Sequence, residues 1–352
     1  MDNIFVAEAG GQVSSLRLSS KVITKIGPNA QVPVTCLASF DGRISASAGE
    51  AVQYVFAGDW NKNVRNLRLV SDSDHPRFSS LSSFRAHSDF VKCLCVARAA
   101  DGEVVLITGG ADGEVSIWNV DGRRYTTLKP QNRAIESIVL DPYSEATAPV
   151  VFFSTSQRDI HNFALPSTTD MRGIQLSAPI LQHETSVYKI HFDGDGDLWT
   201  ASADKTAKRL VRANAWQADT TLTHPDFVRD ITIYEPSGLA ITACRDEEVR
   251  VWSTGSGQLM HIFSGHYEEV TGLALSGHVL VSVSIDATLR TWSLAPQDLR
   301  KAVEEARNPK PVEEEATPAP NFGLTEEEEA ELRALMEEEE VDVHDRMAVG
   351  EQ

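Results

Sequence analysis

Histidine, a hydroxyl residue and aspartate stand in the same order at three places in the chain: His87, Thr108 and Asp112; His224, Thr242 and Asp246; His266, Ser282 and Asp286. These are the side chains of a hydrolytic triad, in which an aspartate orients a histidine and the histidine takes the proton of an attacking hydroxyl. Multiplicity argues against that chemistry. A catalytic constellation is singular, whereas this one recurs, and a further set, His183, Thr200 and Asp204, repeats it once more. A polar set that returns with the fold reads as a buried, satisfied hydrogen-bond network that locks strand register. No catalytic residue is assigned, because no single-copy cluster of acids, bases or nucleophiles stands out from the repeated ones. Metal chemistry is equally unsupported. The four cysteines, Cys36, Cys93, Cys95 and Cys244, lie in predicted strands, and none forms a CxxC or a short Cys/His cluster. No metal site and no cofactor is expected. Cys93 and Cys95 share one sheet face, so they are poorly placed to bond to each other, and a reducing cytosol or nucleus suits four small core thiols.

The elements that must position these residues are strands. Apolar residues come in short runs, such as Val104 to Ile107, Val150 to Phe153 and Val279 to Val281, each closed by turn-forming residues. The runs belong to a repeat. A large apolar residue occupies one fixed place in seven successive segments, at Leu16, Leu67, Trp118, Phe163, Leu210, Trp252 and Trp292, with intervals of 51, 51, 45, 47, 42 and 40 residues. Six positions before each stand Gly10, Asn61, Asp112, Gln157, Asp204, Asp246 and Asp286, mostly residues that favour turns. That period is the one expected for four-stranded blades.

The segment GHYEEVTGLALSGHVLVSVSIDATLRTWSL, from Gly265 and His266 to Trp292, resembles a WD repeat along nearly its whole length. The resemblance extends over about 85% of the chain and is strong in four repeats. It implies an all-β, seven-bladed WD-repeat β-propeller over residues 1–298, followed at 299–352 by a disordered acidic linker and tail with a short helix near 325–337. It also implies that His, Ser or Thr, Asp and Trp form one buried chain within a blade. Those sets are His87, Thr108, Asp112 and Trp118; His224, Thr242, Asp246 and Trp252; and His266, Ser282, Asp286 and Trp292. Leu210 replaces the tryptophan of the set containing His183, and the first, second and fourth repeats depart further.

Closure of the ring is the irregular feature. Six repeats begin with an inner strand, near Val34, Phe90, Ile135, Val187, Phe227 and Val270, but the N-terminal repeat starts directly with Ile4 to Ala7 and Gln12 to Leu18. After Trp292 the chain turns into a helical DLRKAVEEA stretch and supplies no further strand. Either the N-terminal register is different or the ring is incomplete, and an incomplete blade is a place for strand donation by a partner.

Composition narrows the function classes. Residues 301–352 hold 17 acidic and 5 basic side chains, so −12 of the formal −19 belongs to the tail. Neither part has the basic excess that nucleic acid phosphates require, and direct nucleic acid binding is not expected. No apolar run is long enough to cross a membrane, and the N-terminus lacks the features of a secretory signal. The expectation is a cytoplasmic or nuclear protein with other proteins or peptide motifs as partners. It is a non-catalytic scaffold or adaptor subunit of an intracellular multiprotein complex. The alternatives are a hydrolase or lyase built on a propeller, or an RNA-processing or ribosome-assembly factor that reaches nucleic acid through partners. The WD resemblance implies a binding surface on the top face, and by position this includes Trp60, Phe90, Lys92, Tyr188, Phe227, Arg229, Arg245 and Ile285, types that often anchor interfaces. In the tail, Thr325 and Glu328 have capping-box spacing, and Leu332, Leu335 and Met336 form a narrow apolar stripe for a partner groove.

Overall fold

Each repeat alternates β-branched, aromatic and small residues between tight turns, which is the pattern of a pleated strand covered on both faces. The computed structural model describes residues 3–26, 31–42, 52–70, 77–130 and 133–307. These form seven antiparallel sheets in which consecutive strands are neighbours. Blade 1 is Asn3–Ala7, Val13–Arg17 and Val22–Ile26; blade 2 is Val34–Gly42, Val52–Asp59, Asn63–Val70 and Arg77–Arg85. Blade 3 is Val91–Arg98, Val104–Gly110, Val115–Asn119 and Arg124–Leu128; blade 4 is Ile135–Leu140, Val150–Thr155, Asp159–Ala164 and Ile180–Leu181. Blade 5 is Val187–Phe192, Leu198–Ser202, Thr206–Val211 and Gln217–Thr223; blade 6 is Val228–Tyr234, Leu239–Cys244, Val249–Ser253 and Leu259–Phe263. Blade 7 is Val270–Ser276, Val279–Ser284 and Leu289–Ser293. The protein is a seven-bladed β-propeller.

From blade 2 to blade 7 the first strands of successive blades abut around a central cavity of about 600 Å³. The second strands are the most enclosed: every residue of Val104–Gly110 and of Leu239–Cys244 is buried. The core therefore lies between blades. One cluster joins Val105, Ile107 and Ile117 of blade 3 to Ile135, Val151 and Phe153 of blade 4, each such side chain contributing roughly 1.5–3 kcal/mol by leaving water. The contact is close enough to demand glycine. A Cβ on Gly109 would stand 2.6 Å from Ile135 Cγ2, and one on Gly58 would stand 2.8 Å from Val91 Cγ1. Blades 4 and 5 are also tied by Arg212, whose guanidinium donates to both oxygens of Asp141 at 2.9 and 2.7 Å and lies 5.0 Å from the Trp216 ring.

Blades 1 and 7 have three strands each among the described residues. The second-strand register of the N-terminal repeat is as the repeat alignment requires: Gly11 N–H donates to Glu8 O across its turn, just as Gly113 N–H donates to Gly110 O in blade 3. Asn3–Ala7 thus holds the place of a second strand, and among the described residues no inner strand is seen in blade 1 and no outer strand in blade 7. After blade 7 comes the helix Pro296–Arg307, with Asp298 in its first turn, where the helix dipole favours a carboxylate. Leu299 packs on the blade 7 core, and the propeller unit runs to Glu304. The stripe Leu332, Leu335 and Met336 lies outside the described residues.

Candidate functional site: the polar sets and the top face

The repeated polar residues meet inside their blades. In blade 3 the Trp118 indole N–H donates to Thr108 Oγ1 at 3.0 Å, and Thr108 Oγ1 lies 2.7 Å from His87 Nε2. His87 Nδ1 lies 3.0 Å from Asp112 Oδ1. A carboxylate only accepts, so Nδ1 carries a proton and donates it to Asp112. Burial works against the Asp112 charge, but hydrogen bonds from His87 and from the Ser88 and Glu114 amides outweigh it and hold this carboxyl well below the usual range. Blade 7 repeats the arrangement: Trp292 donates to Ser282 at 2.8 Å, His266 Nε2 is 2.7 Å from Ser282, and His266 Nδ1 is 3.2 Å from Asp286. In blade 5, His183 lies 2.6 Å from Thr200 and 2.7 Å from Asp204, with Leu210 in the tryptophan place.

Blade 6 corrects the expectation for Asp246. Trp252 donates to Thr242 at 2.9 Å and Thr242 lies 2.8 Å from His224 Nε2, but Asp246 is turned away from the histidine. Its two oxygens take a bidentate pair from Arg250 at 2.9 and 2.6 Å, a charge-assisted fork stronger than a bond from a neutral imidazole. His224 Nδ1 donates instead to Leu222 O at 3.1 Å. Burial, with Arg250 nearby, pushes the His224 pKa down to about 4.

None of these sets is arranged for catalysis. Each hydroxyl is engaged by an indole or a neighbouring histidine, and Thr108, Thr200, Thr242 and Ser282 are fully enclosed, so no substrate reaches them. His87, Asp112 and Glu114 bring ligand-type atoms within 4.8 Å of one another. Two of those groups are already satisfied by each other, and Glu114 is paired with Lys129 at 2.5 Å. The cysteines are passive as well, with burial pushing Cys36 and Cys244 up to about 12 and Cys95 up to about 11.

The starts of the inner strands and the ends of the second strands lie at one end of the ring, because the two strands run antiparallel. There the structure pairs an aromatic ring with a neighbour at several points. Trp60, more than half exposed, stacks on Phe90 with centroids 4.5 Å apart and planes 2° apart. Lys92 Nζ is 5.9 Å from the Phe90 ring and 2.6 Å from Glu136. Arg229 sits 4.2 Å over Tyr188 and bonds Glu269 at 2.6 Å; Arg245 sits 5.3 Å over Phe227. Ile285 is exposed, as is Tyr267, which the residue positions alone did not single out, whose amide donates to Asp286 at 3.0 Å and whose ring Arg290 approaches at 5.9 Å. Its place just after His266, before an inner strand, was the signal that could have found it. Phe90, Lys92, Tyr188 and Arg229 also line the mouth of the central cavity.

The fold and the recurring indole–hydroxyl–imidazole chains define a propeller built from WD-type blades. Residues 78–119 and 257–293 match the family described as WD domain, G-beta repeat. The chain thus carries WD repeats over those two stretches, and beyond them it is similar to the WD-repeat β-propeller family. It is 29% identical over 339 residues to an uncharacterized WD repeat-containing protein of Schizosaccharomyces pombe, covering 95% of this chain and 84% of that protein. It is 25% identical over 232 residues to human striatin, covering 60% of this chain and only 29% of striatin. Among solved structures, the computationally designed Ika8 protein superposes with a TM-score of 0.58 at 18% identity, covering 83% of this chain and 81% of that one, a likeness of fold alone.

Proposed function

We propose that this propeller is a non-catalytic scaffold or adaptor subunit of an intracellular multiprotein complex and that it holds a protein or peptide partner on the top face. The observation that carries the reading is the exposed Trp60 stacked on Phe90 beside the paired rings and guanidiniums of Tyr188, Arg229, Phe227 and Arg245. Pre-stacked aromatics and arginines held over rings lose little side-chain entropy on binding, which is how hot spots work. The helix of the described residues is neither long nor apolar enough to cross a membrane. The acidic balance of the chain favours basic or neutral partner segments over phosphate backbones.

The test is affinity capture with Trp60→Ala and with the double change Arg229→Ala and Arg245→Ala, after melting shows that both variants fold. Truncation of a true anchor costs about 2 kcal/mol, roughly a thirtyfold loss of affinity, so both variants should lose the same partners. Retention by both, with loss from a chain ending at residue 307, would move the site to Leu332, Leu335 and Met336.

A further inference from the structure

One position inside each blade is polar all round the ring. Four places after the turn residues stand Ser14, Arg65, Ser116, His161, Lys208, Arg250 and Arg290. Six of these have a partner. Ser14 donates to Glu8 at 2.5 Å, Arg65 to Gly11 O at 3.3 Å and Lys208 to Gln182 O at 2.5 Å; Ser116 pairs with Thr127 at 2.9 Å, Arg250 forks onto Asp246, and Arg290 lies over the Tyr267 ring. His161 of blade 4 is the exception: it is 4% exposed, and neither of its ring nitrogens has a hydrogen-bond partner among the described residues. Its neighbours explain the isolation. Phe153 and Phe163 stand where blade 3 has Thr108 and Trp118, so rings replace the polar chain of the other blades, and the imidazole stacks on Phe153, its cross-strand partner, with centroids 5.3 Å apart.

What covers His161 is also particular to blade 4. The outer strand there, Ile180–Leu181, is two residues long and pairs with Asp159 and Ile160. Past them the third strand is followed by a long connection, residues 165–179, that returns along its edge as a strap. Leu165 and Met171 peg the strap into the core shared by blades 3 and 4, and Thr168 donates its N–H and its hydroxyl to Asp101 Oδ2 at 2.7 and 2.6 Å. Near the imidazole it is held more lightly. There Ser177 N–H donates to Asn162 O at 2.9 Å, and the Ser177 backbone lies beside the His161 ring but out of bonding geometry.

A buried imidazole with no partner is tolerated only while it is neutral, because the charged ring would leave water with nothing to replace it. Burial lowers the His161 pKa and outweighs Asp159, two places earlier on the same face, and the Ser177 backbone, both of which favour the charged ring. The other charged groups on the neighbouring elements are Asp170 and Arg172 on the strap and Arg124, Glu114 and Lys129 of blade 3, the last two paired at 2.5 Å. We infer that the strap over residues 165–181 is an acid-opened flap and that His161 is its latch. The protonated ring reaches water only when the strap lifts, which bares the edge of Asp159–Ala164 together with Leu165 and Met171. An opened ring titrates near 6.5 and the closed one lower, so the strap is fully held above about pH 6.5 and loosens as the pH falls through the closed value. Asp101 does not release it in that range: burial opposes its charge, but hydrogen bonds from Thr168 and Glu103 hold the carboxyl below its ordinary value. The flap is independent of the top-face reading and uses none of its residues.

The test is hydrogen exchange of the full chain at pH 7 and pH 5, read as protection relative to the unstructured rate at each pH. At pH 5 the opened ring is about thirtyfold more charged than neutral, so protection of the Ser177 amide should fall by about five- to thirtyfold between the two conditions. At pH 5 that amide should also exchange at least tenfold faster than those of Val104–Gly110, because the strap lifts while the core stays closed. His161→Phe, which continues the ring cluster, should remove the pH dependence at Ser177. Thr168→Val, which cuts the tie to Asp101, should lower strap protection at both pH values and keep the ratio between them, and His224→Gln in blade 6 should leave that ratio unchanged. Equal protection of Ser177 at pH 7 and pH 5 overturns the inference. Equal protection of Ser177 and Val104–Gly110 at pH 5 overturns it too, since only global unfolding would then expose the ring; both readouts need only the natural chain and survive if His161→Phe fails to fold. A pH dependence that persists in a folded His161→Phe assigns the acid response to another group and overturns the latch.

Discussion

Thr108→Val isolates the hub of the blade 3 polar set. The substitution replaces a hydroxyl by a methyl of similar size, so it opens no cavity, and the consequence is electrostatic. Thr108 is fully buried, and its oxygen serves the Trp118 indole N–H at 3.0 Å and His87 Nε2 at 2.7 Å. Both partners are buried, with 5% and 4% exposure, so water does not replace the lost bonds. Each of the two stranded buried polar groups costs about 1–3 kcal/mol, and the added methyl returns less than about 1 kcal/mol, so the net destabilisation is about 1–6 kcal/mol. That is a large share of the roughly 5–15 kcal/mol of an ordinary domain. Urea unfolding followed by tryptophan fluorescence should show a lower midpoint with an unchanged slope. The control is Thr126→Val on the outer strand of the same blade, which is partly exposed and forms no side-chain hydrogen bond among the described residues, and the change should stay within about 0.5 kcal/mol. Adding Trp118→Phe to Thr108→Val should cost less than the sum of the single changes, because the indole N–H is stranded in one and absent in the other. If Thr108→Val cost no more than Thr126→Val, the hydroxyl would not be the hub, and the structural account of the repeated sets would fail.

Two further outcomes follow from packing and titration. Gly109→Ala places a methyl 2.5 Å from Cys93 Sγ and 2.6 Å from Ile135 Cγ2 and should destabilise by about 1–3 kcal/mol in a melt. His224 has a folded pKa near 4, below the unfolded value of about 6.5, so the unfolded chain takes a proton that the folded one refuses. Its contribution, about 3 kcal/mol at most, is complete above pH 6.5 and is lost as the pH falls towards 4; His224→Gln should flatten stability in that window. The contributions of Asp112 and Asp204, whose carboxyls are held low, should persist there and disappear only at more acid pH.

The number of blades and the strand and turn boundaries of most repeats were legible in the sequence. Strand periodicity is a local property, and a repeated unit displays it seven times, so that the place of Ile4 to Ala7 beside Leu16 could be read from the spacing of the repeat. Pairings decided by competition between side chains were not legible. Asp246 sits where Asp112 and Asp286 sit, yet Arg250, four residues on and across one turn of chain, captures it, and spacing says nothing about which donor a carboxylate prefers. The same holds for Trp60 on Phe90, thirty positions apart, whose stacking depends on two blades being brought side by side. Val283 is the clearest case. In the sequence it is one valine in an alternating strand, at a place where other repeats carry Gly, Ser or Ala. It gains meaning only when blade 7 sets it opposite Gly272, where a Cβ would stand 3.1 Å from Val283 Cγ2, because close packing constrains the combined volume of two side chains and not either one alone.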